Sequence, residues 1–133
     1  MALETLTQEE AQQLMRTVET SQAFVATIMS PSMGALAARL TSVEMVDGFL
    51  QAYTMDDYRS VGLRLDIHYI DFGFLAEWLD HVIGDAGLAA EIRALHDTGE
   101  AFGLLVPKVK DVLAARLEQY REALSEQLAE SAS

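Results

Sequence analysis

Apolar residues recur at three- and four-residue steps along most of the chain, which is the period of an amphipathic helix. At the N-terminus, Thr7 and Glu10 have the spacing of a capping box, and the apolar positions that follow predict one long helix to about Met29. A proline soon afterwards ends this helix. The same period predicts a short helix over residues 33–40 and a further helix over residues 43–52.

The central stretch, residues 56–83, is nearly all apolar and also carries the densest set of ionisable side chains. Between Leu63 and Tyr69, apolar and polar residues alternate, which is the period of a half-buried strand. A strand needs a partner, and we find no second alternating run of comparable quality in the sequence. We therefore favour a helix, introduced by a capping signature at Thr54, and keep a strand over residues 61–70 as the alternative.

Clear start and stop signals organise the C-terminal part of the chain. Gly84 ends the central stretch and Asp85 can cap a short amphipathic helix over residues 88–95. From Glu100 the pattern stays helical almost to the end, with a kink expected at Pro107. The predicted fold is all-α: a single domain, residues 1–133, in which five or six helices form an irregular bundle around a central helix 56–83.

Composition narrows the classes of function. Of 133 residues, 50% are hydrophobic and 23% charged, which is typical of a globular domain, and there is no cysteine. The net charge of -12 argues against binding to nucleic acid or to anionic lipid, since both require clustered cations. No apolar run approaches the roughly 20 residues that span a bilayer, and no signal peptide is visible. We expect a cytoplasmic protein with no membrane partner.

Four residues of the central stretch form a candidate ligand site. On a helix, Arg64, His68 and Asp71 lie at i, i+4 and i+7 on one side, and Asp71 could orient the His68 imidazole. Trp78 and the neighbouring aromatic residues could line a small apolar pocket. The alternative is a satisfied polar network without a ligand. The sequence identifies no catalytic residue.

Metal binding has weaker candidates, namely His68, Glu77 and His81. Glu77 and His81 are one helical turn apart, but His68 and His81 lie on different sides of a straight helix and cannot share an ion. The His96-Asp97 doublet resembles half of a phosphohydrolase pattern, although the second metal-binding histidine of that pattern is missing. We therefore predict no metal and no cofactor.

One resemblance to a known family rests on short motifs. The run Phe-Leu-Ala-Glu-Trp-Leu at residues 74–79 is followed by Ile-Gly-Asp at 83–85 and by Leu-Ala at 88–89. This order resembles the C-terminal half of an uncharacterised, helical prokaryotic domain family, over residues 36–95 at most. The resemblance implies a helical fold and carries no activity and no catalytic residue.

Three functions remain open from the sequence. The first is a non-enzymatic interaction or regulatory module that engages a protein partner or a second copy, expected to be a homodimer, through its acidic surface or its terminal helix. The second is a small-ligand or metal-binding protein, or an enzyme, that uses the polar stripe of the central helix. The third is an acidic mimic of nucleic acid.

Overall fold

A computed structural model describes residues 6–31, 33–51 and 66–132, with side chains as far as residue 125. It contains a three-stranded antiparallel sheet in addition to five α-helices. The predicted all-α fold, an irregular helical bundle, is therefore wrong, and the fold is mixed α and β. The single-domain assignment of residues 1–133 stays a prediction.

The sheet has the strand order β2-β1-β3. Strand β1, Phe24–Ser30, pairs with β2, Gly34–Leu40, at all seven positions and without a bulge. On its other side β1 pairs with the short strand β3, Ile67–Tyr69. The β1–β2 turn places Gly34 at a φ of 78°, a left-handed conformation that glycine adopts without strain. Strand β2 therefore lies at one edge of the sheet and β3 at the other.

The hairpin of β1 and β2 replaces two predicted helices. Helix α1, Gln8–Leu14, starts with the predicted capping box of Thr7 and Glu10 but ends well before residue 29. The apolar spacing of residues 25, 28 and 29 fits a helix, yet Phe24 and Ala26 are buried while Val25 is exposed, which is the alternation of a strand. The predicted helix over residues 33–40 is strand β2. Pairing across a tight turn outweighed the helical propensity of its alanines.

The predicted central helix 56–83 is also wrong. In the described part of this stretch, strand β3 occupies residues 67–69 and is followed by helix α3, Phe72–Trp78, and by a π-helical turn, Leu79–Ile83. The strand alternative is thus correct for residues 67–69, and its partner is β1, where Ile28 lies opposite His68. Residues 61–65 and the capping signature at Thr54 lie outside the described residues.

Three other predicted helices are present, although the one predicted over residues 43–52 ends at Phe49. Helix α2, Val43–Phe49, begins after Ser42, whose side chain accepts a hydrogen bond from the Met45 amide. Helix α4, Ala86–His96, has the predicted cap, and α5, Phe102–Ala132, continues through Pro107. Helix α5 packs against α1, α2 and α4, and α4 also packs against α3. None of the helices in the described ranges is both long enough and apolar enough to cross a membrane.

One face of the sheet closes the apolar core. Phe24, Ala26 and Leu40 are buried on this face, and the Phe24 ring lies 5.9 Å from that of Trp78 on α3. The opposite face is different, because Val25 and Met29 of β1 are 54% and 41% exposed there. The hairpin therefore contributes one side to the core and presents the other, largely apolar, to solvent.

Candidate functional site

The predicted ligand residues do not form one stripe. His68 lies on β3, Asp71 caps the N-terminus of α3 and Trp78 ends that helix, while Arg64 lies outside the described residues. Their arrangement on a single helix face is wrong because the chain changes from strand to helix between His68 and Phe72. A ligand-binding role for the individual residues stays a prediction.

His68 joins β3 to the end of α2. Its Nδ1 lies 2.7 Å from the Phe49 carbonyl oxygen, and its ring stacks on the Phe49 ring at 4.6 Å. Since a carbonyl only accepts, Nδ1 carries the hydrogen in this contact. Carbonyls at the end of a helix have no partner within the helix, so His68 satisfies one of them. This contact is a structural use of the imidazole.

Trp78 has a structural role as well. The side chain is only 7% exposed, and its Nε1–H donates to the Gln22 carbonyl at 2.8 Å. This bond ties α3 to the segment that leads into β1. The polar atom of the indole is consequently occupied within the fold.

Glu77 and His81, two of the candidate metal ligands, contact each other at the surface. Glu77 Oε2 lies 3.0 Å from His81 Nε2, and Glu77 Oε1 accepts from Arg93 at 3.3 Å. More than half of each side chain of the Glu77–His81 pair is exposed. Within the described ranges, no three histidine, aspartate or glutamate side chains are grouped so as to hold an ion.

A buried polar group that the sequence did not reveal joins α4 to α5. It consists of Asp85, Arg116 and Tyr120, and we call it the Asp85 network. Arg116 donates from Nε to Asp85 Oδ2 at 2.7 Å and from Nη2 to Oδ1 at 2.9 Å, which is a bidentate pair. The Tyr120 hydroxyl donates to Oδ2 at 2.6 Å, and the Leu88 amide donates to Oδ1 at 3.1 Å. All three residues are at most 4% exposed.

The pKa shifts of Asp85 and Tyr120 follow from the burial of the network and from its hydrogen bonds. Burial alone would raise the pKa of Asp85, but the hydrogen bonds from Arg116, Tyr120 and Leu88 outweigh it and hold that pKa below its usual value. Burial and the Asp85 carboxylate raise the pKa of Tyr120. Both carboxylate oxygens of Asp85 thus accept hydrogen bonds from within the fold, and the network holds α4 against α5. Of these three residues, only Asp85 was singled out from the sequence, as a helix cap.

An open cleft lies where β3 meets the connection between α4 and α5. Its volume is about 330 Å³. Asp71 is the one predicted ligand residue of the described part that lines it. Its main walls come from β3, α3, α4 and α5 and include Tyr69, Asp71, Phe72, His96, Glu100 and Phe102. We call this site the Tyr69 cleft.

The edge of β2 that faces away from β1 has no strand partner among the described residues; we call it the free edge, and it is the second candidate site. Six of its seven residues lack a buried side chain, and Leu36 is 38% exposed. The exposed face next to it continues onto β1 and carries Val25, Thr27, Met29, Ala35, Ala37 and Arg39. This surface holds a single charge, that of Arg39.

Comparison of the chain with family models, curated proteins and solved structures found no match. The resemblance of residues 74–89 to an uncharacterised helical family therefore stays a prediction. The function has to be argued from the geometry of the two candidate sites.

Proposed function

We propose that the chain is a non-enzymatic protein-interaction module that forms a homodimer by pairing β2 with β2 of a second copy. The observation that carries this proposal is the free backbone edge of β2 over Gly34–Leu40. Addition of a strand to such an edge is a common mode of protein recognition. In this dimer the two three-stranded sheets become one sheet of six strands.

The edge of β2 lacks the usual protection against pairing. Monomeric proteins blunt an edge strand with lysine, proline or a bulge, because its unpaired N–H and C=O groups attract another strand. Strand β2 pairs with β1 in an unbroken register and contains no proline and no lysine. Within the described residues, β1 is its only strand partner. Arg39 is the only charged residue on the strand.

The distribution of charge favours contact between copies at this surface. Two chains of net charge -12 repel each other, so a dimer forms more easily where carboxylates are absent. Residues 20–43 contain none of the 21 aspartate and glutamate residues of the chain. The hairpin of β1 and β2 lies entirely within this run. A second copy can therefore approach the hairpin without bringing acid against acid.

The sequence of β2 is compatible with a two-fold axis at its central residue, Ala37. Antiparallel pairing about this axis places Ala37 opposite its own copy and Ala35 opposite the copy of Arg39. The two arginines are then four residues apart along the strand, about 14 Å at 3.4 Å per residue. This separation exceeds the Debye length of about 8 Å at physiological salt, so their repulsion is largely screened.

Charge exchange at Ala37 tests the proposal. Wild-type protein should sediment as a dimer in analytical ultracentrifugation, and Ala37→Lys and Ala37→Glu should each sediment as monomers, since like charges meet on the axis. An equimolar mixture of the two variants should recover the dimer, because lysine then faces glutamate. Ala90→Lys, on the exposed side of α4, is the matched control and should remain dimeric.

A second measurement covers the case in which a charged variant misfolds. The chain contains no cysteine, so Ala37→Cys introduces a single thiol. Directly opposed residues of an antiparallel pair have Cα atoms about 4.5–5.5 Å apart, within the range of a disulfide. Oxidation should give a covalent dimer of Ala37→Cys and much less of Ala90→Cys. A monomeric wild-type protein, or a dimer that survives Ala37→Lys, would refute the proposal.

A further inference from the structure

We propose that the Tyr69 cleft binds a small organic amine, with the ammonium group at Asp71 and the apolar body against the aromatic rings. The cleft lies beside β3, at the opposite edge of the sheet from β2. The inference is thus independent of dimer formation, and either proposal can fail without the other.

The inner wall of the cleft is apolar and aromatic. Ile70, Phe72 and Leu105 are each at most 4% exposed and provide a fixed surface. The centroid of the Phe102 ring lies 4.9 Å from that of the Tyr69 ring and 5.4 Å from that of the Phe72 ring. Such a wall takes up an apolar body, and aromatic rings also attract a cation that lies over their faces.

The polar groups of the cleft, Asp71 and His96, lie close to Gly73. Asp71 Oδ1 accepts from the Phe74 amide at 3.1 Å, and the other oxygen, Oδ2, has no partner in the described part of the chain. A Cβ atom added at Gly73 would lie 3.2 Å from Asp71 Oδ1 and also 3.2 Å from His96 Nε2. Because residue 73 is glycine, the carboxylate and the imidazole can both approach this point.

The charges of the cleft select a cation over an anion. Among the residues that line it, Asp71 and Glu100 carry carboxylates and none is a lysine or arginine. The Lys108 ammonium is already bonded to both Glu100 oxygens, at 2.8 and 2.9 Å. The Asp71 carboxylate therefore remains for a ligand. An ammonium group would form a charge-assisted hydrogen bond with it, whereas a carboxylate or phosphate ligand would be repelled.

The size of the cleft limits the ligand. A volume of about 330 Å³ corresponds to about eleven waters at roughly 30 Å³ each. This suits a molecule of about ten non-hydrogen atoms. A primary amine on a single aromatic ring, such as 2-phenylethylamine, has this size and combines one positive charge with an apolar body.

Titration with three matched compounds tests the inference. In ¹H–¹⁵N NMR spectra, 2-phenylethylamine should shift the amides of Tyr69, Gly73 and Gly99. The neutral analogue 2-phenylethanol should bind at least tenfold more weakly, and the anionic 3-phenylpropanoate should give no saturable shift. Equal affinity for the amine and the alcohol, or no shift with 10 mM amine, would overturn the proposal.

Two variants identify the residue that binds the ammonium. Asp71→Asn keeps a side chain that caps α3 and removes only the charge, so the affinity for 2-phenylethylamine should fall at least tenfold while the protein stays folded. Asp111→Asn removes an exposed carboxylate outside the cleft and should leave the affinity unchanged. If both variants bind like wild-type protein, Asp71 is not the ammonium site and the inference fails.

Discussion

The Asp85 network and the free edge of β2 differ in how their hydrogen-bonding groups are paired. In the network, both carboxylate oxygens of Asp85 have two donors each, and the three side chains are shielded from water. At the edge, a row of backbone groups faces away from β1 with no strand partner in the described ranges. The fully paired network fixes α4 and α5 in one arrangement, whereas the backbone groups at the edge of β2 can still form hydrogen bonds with another chain.

This difference separates residues that stabilise the fold from residues that are available for binding. Cationic side chains that point inward donate hydrogen bonds to carbonyl groups at helix ends and to the buried Asp85 carboxylate. Lys110 donates to the carbonyls of Asp47 and Leu50 at the end of α2, and Arg16 donates to the carbonyl of Ile83 at the end of the π-helical turn. Within the ranges that the structure describes, no lysine or arginine forms such a bond on the outer face of the hairpin. Variants should therefore affect stability strongly in the first region and weakly in the second.

The largest effect is expected from Arg116→Met. Methionine leaves the Asp85 carboxylate buried without its bidentate partner, which typically costs about 3–5 kcal/mol of unfolding free energy. Urea denaturation followed by circular dichroism measures the loss. Arg121→Met, at an exposed position of the same helix, is the control and should stay within about 0.5 kcal/mol of wild type. Similar losses in both variants would show that buried Arg116 contributes no more to stability than exposed Arg121.

A second variant separates charge from shape in this network. Asp85→Asn keeps an oxygen that can cap α4 and removes the buried charge. Added to Arg116→Met, it should recover part of the lost stability, because no uncompensated carboxylate remains. A double variant that is less stable than Arg116→Met alone would show that the carboxylate finds other partners.

A smaller effect is expected from Tyr120→Phe, which removes one hydrogen bond to the charged carboxylate. The expected loss is about 1.5–3 kcal/mol at neutral pH. The folded protein raises the pKa of Tyr120 above its ordinary value of 10.0, so the folded state keeps this proton while the unfolded state loses it. The contribution is fully present below pH 10.0 and declines as the pH rises further. Tyr120→Phe should show a shallower alkaline decline, measured by urea midpoints between pH 8 and 11.

The sequence predicted those parts of the fold that depend on local signals. The capping box of Thr7 and Glu10, the cap at Asp85 and the helices that follow them each reflect side chains bonding to backbone within one turn. The sheet depends on contacts between distant residues. Strand β3 was considered and rejected because no partner was apparent, and the partner, β1, lies about forty residues earlier, where its apolar spacing fits a helix equally well.

The candidate sites were harder to predict for the same reason. Tyr69 and Asp71 come from one segment of the chain and His96 and Glu100 from another, and only tertiary folding brings them to one cleft. Arg116 and Tyr120 are four residues apart on α5, but nothing local indicates that they face Asp85. The polar stripe of Arg64, His68 and Asp71 assumed a helix that the chain does not form between His68 and Asp71. Of the predicted ligand residues that the structure describes, only Asp71 lines the Tyr69 cleft.

The smallest effect, from Ala37→Thr, tests the hairpin that the sequence did not predict. Relative to alanine, threonine stabilises a strand, on a scale that spans about 1 kcal/mol, and destabilises a helix by up to about 0.7 kcal/mol. Ala37→Thr on β2 should therefore raise the unfolding free energy by a few tenths of a kcal/mol, up to about 1 kcal/mol. Ala90→Thr, at an exposed position inside α4, should lower it by a similar amount. Urea midpoints at equal protein concentration measure both changes, since dimer formation also contributes to stability. A loss of stability in both variants would mean that residue 37 lies in a helix, and the open edge would then not exist.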